Sequence, residues 1–194
     1  IGAIDAEEIQ RGRSFMAGMV GKRVASEAIT LTDDPFIPGG AGSSATDGEG
    51  VPHREWVLVD RGILTTYLHD SYTAGKDGVA NTAHSTRGGR SATNVIPTLG
   101  SRTQAELIAE IEEGIFVRSA HIAVNDATGD FSQVIDFGYK IERGELAYPL
   151  KETMISGSYL DLLAAIDAVS SDYREKPGMI MPAVRASKVR VIGR

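Results

Sequence analysis

The sequence predicts an α+β fold, mainly antiparallel β-sheet with a few helices, and three observations predict it. Glycine makes up 22 of the 194 residues, above the ~7% of an ordinary globular chain, which favours turn-rich sheet over a helical bundle. Two segments read as β-hairpins closed by a glycine turn. In the first, Trp56–Val59 and Ile63–His69 flank Asp60-Arg61-Gly62; in the second, Gly138–Glu142 and Glu145–Leu150 flank Arg143-Gly144. Only two segments carry strong helix signals, and they sit among strands.

The elements come in this order. Ile1–Glu27 reads as helical with interruptions at Gly12, Gly18 and Gly21, a lead-in (1–27) that ends a missing N-terminal part. A single β-rich domain over 28–194 comes next. Ala28–Thr32 is a short strand, and 33–50, dense in Gly, Pro, Ser and Asp, is a long loop. After the first hairpin, Asp70–Gly78 allows one or two helical turns and Thr93–Leu99 a strand. Thr103–Glu113 is a helix: Thr103 caps it, Glu106 three residues on closes a capping box, Leu107, Ile108 and Ile111 form its buried stripe, and Gly114 ends it. Ile115–Arg118 begins a strand. Ser158 caps a second helix, with Asp161 at its third position and Leu162, Leu163 and Ile166 as its apolar side. Ala183–Ile192 is a final strand.

Composition excludes several classes. With 20 Lys+Arg against 26 Asp+Glu the net charge is −6, and the basic excess of a general nucleic-acid binder is absent. No apolar run approaches the ~20 residues that span a bilayer, and Ile1–Gln10 is not a signal peptide. No direct nucleic-acid partner and no membrane partner are expected, and a cytoplasmic placement is. There is no cysteine, so no disulfide and no thiolate zinc site. The histidines His53, His69, His84 and His121 have no second His at i+4, so no HExxH-type helix exists. No metal ligand and no catalytic residue is assigned. The Gly39–Gly42 stretch lacks the Lys-Ser/Thr of a phosphate-binding loop. Asp33, Asp34, Asp47 and Glu49 share one loop, where Asp commonly serves turns. Thr86-Arg87-Gly88-Gly89-Arg90 is a basic patch able to grip a carboxylate or phosphate, and Asp130 with Ser132 occupies the polar turn Thr128–Ser132.

The order of these pieces resembles the TldD/PmbA family, over about Gly12 to Gly193. Asp47-Gly48-Glu49-Gly50-Val51-Pro52 is similar to the family's D-x-E-G-x-P loop. Gly62-Ile63-Leu64, Tyr67-Leu68, Ser71 and Ala74 come after it. Thr82-Ala83-His84 is similar to a T-G-H or T-G-N element, with Ala83 in place of glycine. Glu112–Ile115, Thr128–Ser132, Gly144-Glu145 and Ile155–Ser158 complete the series. The resemblance implies the family's C-terminal domain, with a barrel-like, mainly antiparallel sheet. It implies zinc-dependent hydrolysis of small or unfolded peptides by TldD-type members, whose ligands are the two His of an HExxxH helix and a Cys near the C-terminal end. This chain has neither the helix nor the Cys; Val169-Ser170-Ser171-Asp172 runs on without a thiol. It is closer to the PmbA-type branch, which partners a TldD-type chain or forms homodimers and is linked to peptide-antibiotic maturation and modulation of DNA gyrase. The expected role is to bind extended peptide in a cleft for hydrolysis by a complex, with no cofactor in this chain and zinc in the full complex. The alternative is a non-catalytic peptide- or protein-binding and dimerisation module. The peptide-cleft candidates are His84, Arg87, Asp130, Ser132, Asp47 and Glu49. A small-molecule hydrolase using Asp47 and Glu49 is the weakest reading, because nothing in the sequence places them in a pocket.

Overall fold

The computed structural model describes residues 2–120 and 122–193; Ile1 and His121 lie outside the described residues. The chain divides into two compact units, 1–98 with 174–181, and 99–173 with 182–194.

In the first unit a 3-10 turn (Gly2–Ile4) leads into α1 (Ala6–Gln10), capped by Asp5, whose carboxylate accepts the Glu7 N–H at 2.8 Å. The rest of the expected lead-in helix is a series of turns, because Gly12, Gly18 and Gly21 all take positive φ, which a helix interior does not allow. The strands are β1 (Leu31–Asp33), β2 (Trp56–Asp60), β3 (Ile63–Leu64), β4 (Ser85–Thr86), β5 (Gly89–Arg90) and β6 (Val95–Pro97), with α2 (Ser71–Asp77) after β3. The sheet order β6-β1-β2-β3 is antiparallel, and β4 and β5 form a separate ribbon. Leu58, Leu64 and Leu68 are buried at its core.

The second unit begins with α3 (Gln104–Ala109), then β7 (Glu113–Ala120), β8 (Asp130–Glu142), β9 (Glu145–Pro149), β10 (Met154–Ser158), α4 (Tyr159–Ala164), β11 (Ile166–Lys176), β12 (Met179–Ala186) and β13 (Arg190–Ile192). One antiparallel sheet runs β13-β10-β8-β7, with β9 on the upper part of β8. Phe131, Ile135 and Ile155 form its buried cluster, with Leu162 and Val189 packed on it. The tip of β11 and β12 belongs to the first unit, where Met179 pairs in parallel with Val95.

The class is therefore α+β and mainly antiparallel, but the sheets stay open instead of closing barrel-like. Closure requires the two edge strands of one sheet to pair with each other, and among the described residues no sheet of more than two strands pairs its two edge strands in that way. Both expected hairpin turns are present as two-residue turns with positive φ throughout, Arg61 44° and Gly62 80°, Arg143 51° and Gly144 80°. This is the type I′ geometry that matches strand twist. The Thr103/Glu106 capping box also forms. Its helix ends earlier than expected, at Ala109. The Arg143 and Gly144 N–H groups donate to the Glu112 and Ile111 carbonyls, which captures the residues that would have extended it. Gly114 consequently lies in β7 instead of capping α3. Ser158 precedes α4 without a side-chain cap bond, and Ile166 starts β11. The final strand is two, β12 and β13, separated where Lys188 takes φ 62°.

A Cβ on Gly62 would stand 2.1 Å from the Ala25 carbonyl oxygen at φ +80°. Gly62→Ala is expected to destabilise the protein by about 3 kcal/mol through strain and clash together, read as a lower midpoint in urea unfolding.

Candidate functional site

A buried carboxylate organises the first unit. Asp33 ends β1 and is 1% exposed. Its Oδ1 accepts the Thr93 N–H at 2.7 Å and the Thr93 hydroxyl at 2.9 Å, and its Oδ2 lies 3.0 Å from His84 Nε2. The other ring nitrogen of His84, Nδ1, lies 2.8 Å from Thr82 Oγ1. That hydroxyl also accepts the His69 N–H at 2.6 Å and donates to the His69 carbonyl at 3.1 Å. One chain of hydrogen bonds thus ties β1, the approach to β6 and the segment between α2 and β4. A buried polar group is tolerable only with such satisfaction.

Over this support lies an open hollow of about 430 Å³ lined by Ser44, Thr46, Asp47, His53, Ser85 and Thr93 among others. Asp47 shapes its wall: Oδ1 accepts the Glu49 and Val51 N–H groups at 2.9 Å each, and Oδ2 accepts the Ser85 N–H at 3.1 Å. Asn94, 3% exposed, holds the lining residue Gly42 in place, accepting its N–H at 3.0 Å and donating to the Asp34 carbonyl at 2.7 Å. Gly42 is required here, since a Cβ would meet the Thr93 carbonyl oxygen at 2.1 Å.

A second polar centre lies around Arg90, whose side chain is 6% exposed. Its Nε meets Asp5 Oδ1 at 2.6 Å, Nη1 meets Asp70 Oδ2 at 2.5 Å, and Nη2 meets Glu7. Burial opposes its charge, but the hydrogen bonds to Asp5, Glu7 and Asp70 outweigh it and raise its pKa. Burial also opposes ionisation of Asp70, and bonds from Thr73 and Arg90 overcome it, leaving its pKa lowered. Burial pushes the His69 imidazole down; Asp77 and Asp70 counter it, and Arg90 adds to it. His69 Nδ1 is buried without a hydrogen-bond partner among the described residues.

Of the six residues expected at a cleft, Asp47, Glu49, His84 and Arg87 lie in the first unit and Asp130 and Ser132 in the second. Asp47 lines the hollow. Glu49 Oε2 accepts the N–H of Ser71, the first residue of α2, at 2.9 Å. His84 is buried and engaged at both ring nitrogens, so it supports the wall from behind. Arg87 is exposed on the turn between β4 and β5. Asp130 opens β8 with its N–H donating to Thr128 Oγ1 at 3.3 Å; Ser132 faces solvent opposite Ser156. The sequence gives no sign that Asp33, Thr93 and Arg90 are partners in these centres, because their contacts span 20 to 85 residues.

Among the described residues no group of three or more His, Asp or Glu side chains could hold a metal ion. Within the first unit, both His84 nitrogens and both Asp47 oxygens are bonded within the fold. In the Val169–Asp172 stretch, Ser170 is fully buried, donating to the Asp172 carbonyl and accepting the Ala183 N–H. These residues do not fit a zinc ligand set.

Two measurements test the site. Ala83, in the glycine position of its motif, takes φ 58° and is 2% exposed. Ala83→Gly is expected to raise stability by about 1 kcal/mol, because a left-handed non-glycine residue costs ~1–2 kcal/mol and glycine gives part of that back as chain entropy; an unchanged unfolding midpoint would count against the strain. For His69, a folded pKa below the unfolded value near 6.5 favours the neutral ring. Its contribution is complete above that pH and is lost as pH falls toward the folded value. Unfolding free energy is expected to drop as pH falls below about 6.5, and His69→Gln should flatten that slope.

The comparisons with known proteins agree with this architecture. The sequence matches the PmbA/TldA metallopeptidase C-terminal domain family over residues 1–193. It is similar to a metalloprotease of Methanothermobacter thermautotrophicus, 35% identical over 89% of this chain and 39% of that protein. It is also similar to a Metalloprotease PmbA homolog of Haemophilus influenzae, 30% identical over 98% of this chain and 42% of the relative. The chain thus spans about two fifths of the length of these relatives. In structure it is similar to TldE from Thermococcus kodakarensis, with TM-score 0.86, 29% identity and coverage of 99% of this chain and 46% of the other. A Thermotoga maritima protein proposed as a modulator of a DNA gyrase matches with TM-score 0.92, 33% identity and coverage of 99% and 45%.

Proposed function

The chain belongs to the PmbA/TldA metallopeptidase C-terminal domain family, and from that premise we propose that it binds extended peptide for hydrolysis within a larger protein or complex. The observation that carries this reading is the open hollow, whose walls are held rigid by Asp47, Asn94 and the Asp33–His84 pair. Preformed concave sites with few, fixed polar groups are where ligands bind. Strand edges support it further. Among the described residues β9 and β13 each pair on one side only and are exposed throughout, and a free edge accepts a peptide by backbone hydrogen bonds whatever its sequence. Arg87 and Glu49 in the first unit, and Asp130 and Ser132 in the second, are proposed as peptide contacts.

The zinc of such a system is proposed to sit on residues other than those described here, in a TldD-type partner subunit, with a second copy of this chain as the other possible partner and the cytoplasm as the place of action. The absence of any cysteine and of a described metal-holding group favours one further reading, a peptide-binding and dimerisation module that does not itself cleave. Among the described residues no helix is long and apolar enough to cross a membrane.

The test is cleavage of an unstructured peptide by the full-length protein, alone and with a TldD-type partner, with zinc per chain measured on both. No cleavage alone, and cleavage on adding the partner, is the expected result. Cleavage by the protein alone at near one zinc per chain would overturn partner dependence. Absence of peptide binding in either setting would overturn the proposal.

A further inference from the structure

The hollow has an uneven stock of hydrogen-bonding groups. Four of its hydroxyls commit their protons inside the fold. Ser44 donates to the Thr46 carbonyl at 3.1 Å, Thr86 to the Gly89 carbonyl at 3.0 Å, Ser91 to the Ala92 carbonyl at 3.1 Å, and Thr93 to Asp33 Oδ1 at 2.9 Å. A hydroxyl whose proton is committed still has lone pairs to offer. The one carboxylate in the lining, Asp47, adds negative charge, and its three partners are neutral backbone N–H groups. The imidazole of His53 and the hydroxyls of Thr46 and Ser85 make no hydrogen bond among the described residues; each carries acceptor capacity too. No Lys or Arg lines the space. With one carboxylate, four hydroxyls whose protons are already committed and no Lys or Arg, the acceptors of the hollow outnumber its free side-chain donors, which are those of His53, Thr46 and Ser85.

We propose that this hollow takes a primary ammonium group, in first place the free α-amino terminus of a bound peptide. An ammonium carries three donors and no acceptor, which is the complement of these oxygens, and hydrogen bonds to a charged group are stronger than neutral ones. The inference rests on the peptide-binding reading above and narrows it to end recognition. A lysine ε-ammonium has the same chemistry, so the experiment separates the two sources.

The test is calorimetric binding to the full-length protein of three versions of one lysine-free, unstructured hexapeptide: the free-amino form, the N-acetyl form, and the N-acetyl form with lysine at its first position. The free-amino form is expected to bind about tenfold more tightly than the N-acetyl form. Thr86→Val and Ser91→Ala, each removing one acceptor oxygen, should shrink that ratio severalfold, with each variant's own N-acetyl affinity as its reference; an undiminished ratio in both variants would overturn the role of these oxygens. Recovery of affinity in the lysine form supports ammonium recognition with a side chain as an additional source; no recovery supports the α-amino terminus alone. Equal affinity of the free and N-acetyl forms overturns this inference and leaves peptide binding standing. Failure of all three to bind overturns the peptide reading, and this inference falls with it.

Discussion

The first unit depends on one buried carboxylate. A carboxyl group at 1% exposure is tolerated only if its oxygens are hydrogen-bonded, and the groups that fill those of Asp33 come from Thr93 and His84, 60 and 51 residues further along the chain. Removing one partner leaves a buried polar group unsatisfied and costs about 1–3 kcal/mol. The arrangement costs desolvation and in return sets the register of the sheet. Asp33 faces Trp56 on β2 and Val95 on β6, so the strands on both sides are aligned to a residue whose position is set by its polar partners as well as by the ladder.

The same logic recurs at Asp47 and Arg90 at smaller and larger scale. Asp47 turns its own loop, taking N–H groups two and four residues ahead, and then reaches Ser85 in β4. Arg90 collects the caps of two helices, since Asp5 caps α1 and Asp70 caps α2. A guanidinium suits this position because its planar fork serves several carboxylates at once. The β4–β5 ribbon, too short to be stable alone, is held by the Asp47–Ser85 bond at one strand and by Arg90 at the other. Its exposed turn carries Arg87.

What the sequence disclosed and what it withheld divide along sequence separation. The Arg61-Gly62 and Arg143-Gly144 turns and the Thr103/Glu106 box are local chemistry, decided within four residues, and they were legible. The length of α3 was not, because Glu113 and the residues after it are drawn into the ladder with β8, where Glu113 pairs with Glu142 from nearly thirty residues away. β10 reads Met-Ile-Ser-Gly-Ser and β11 ends in a polar run, Ser-Ser-Asp-Tyr-Arg-Glu-Lys; neither shows the alternation that marks a half-buried strand. The motif around His84 was visible as a pattern, but its role was not. A histidine in a polar loop looks available for binding, and only the fold shows both nitrogens engaged by Asp33 and Thr82.

That distinction bears on how a binding surface is kept rigid without being used up. The groups with unusual chemistry in this unit, His84, Asp33 and Arg90, are buried and saturated, whereas those facing the hollow are plain hydroxyls, one imidazole and a carboxylate bonded only to backbone. Rigid support behind a modestly polar surface lowers the ordering cost of binding. The close approaches at Gly42 and Gly62, where any side chain would collide with a carbonyl, serve the same end by letting backbone lie directly on backbone. Glycine abundance, an argument for turns when read from composition alone, is thus also a packing requirement of the walls: the loop from Ile37 to Ser44 can lie against Thr93 and Asn94 only because its glycines leave room there.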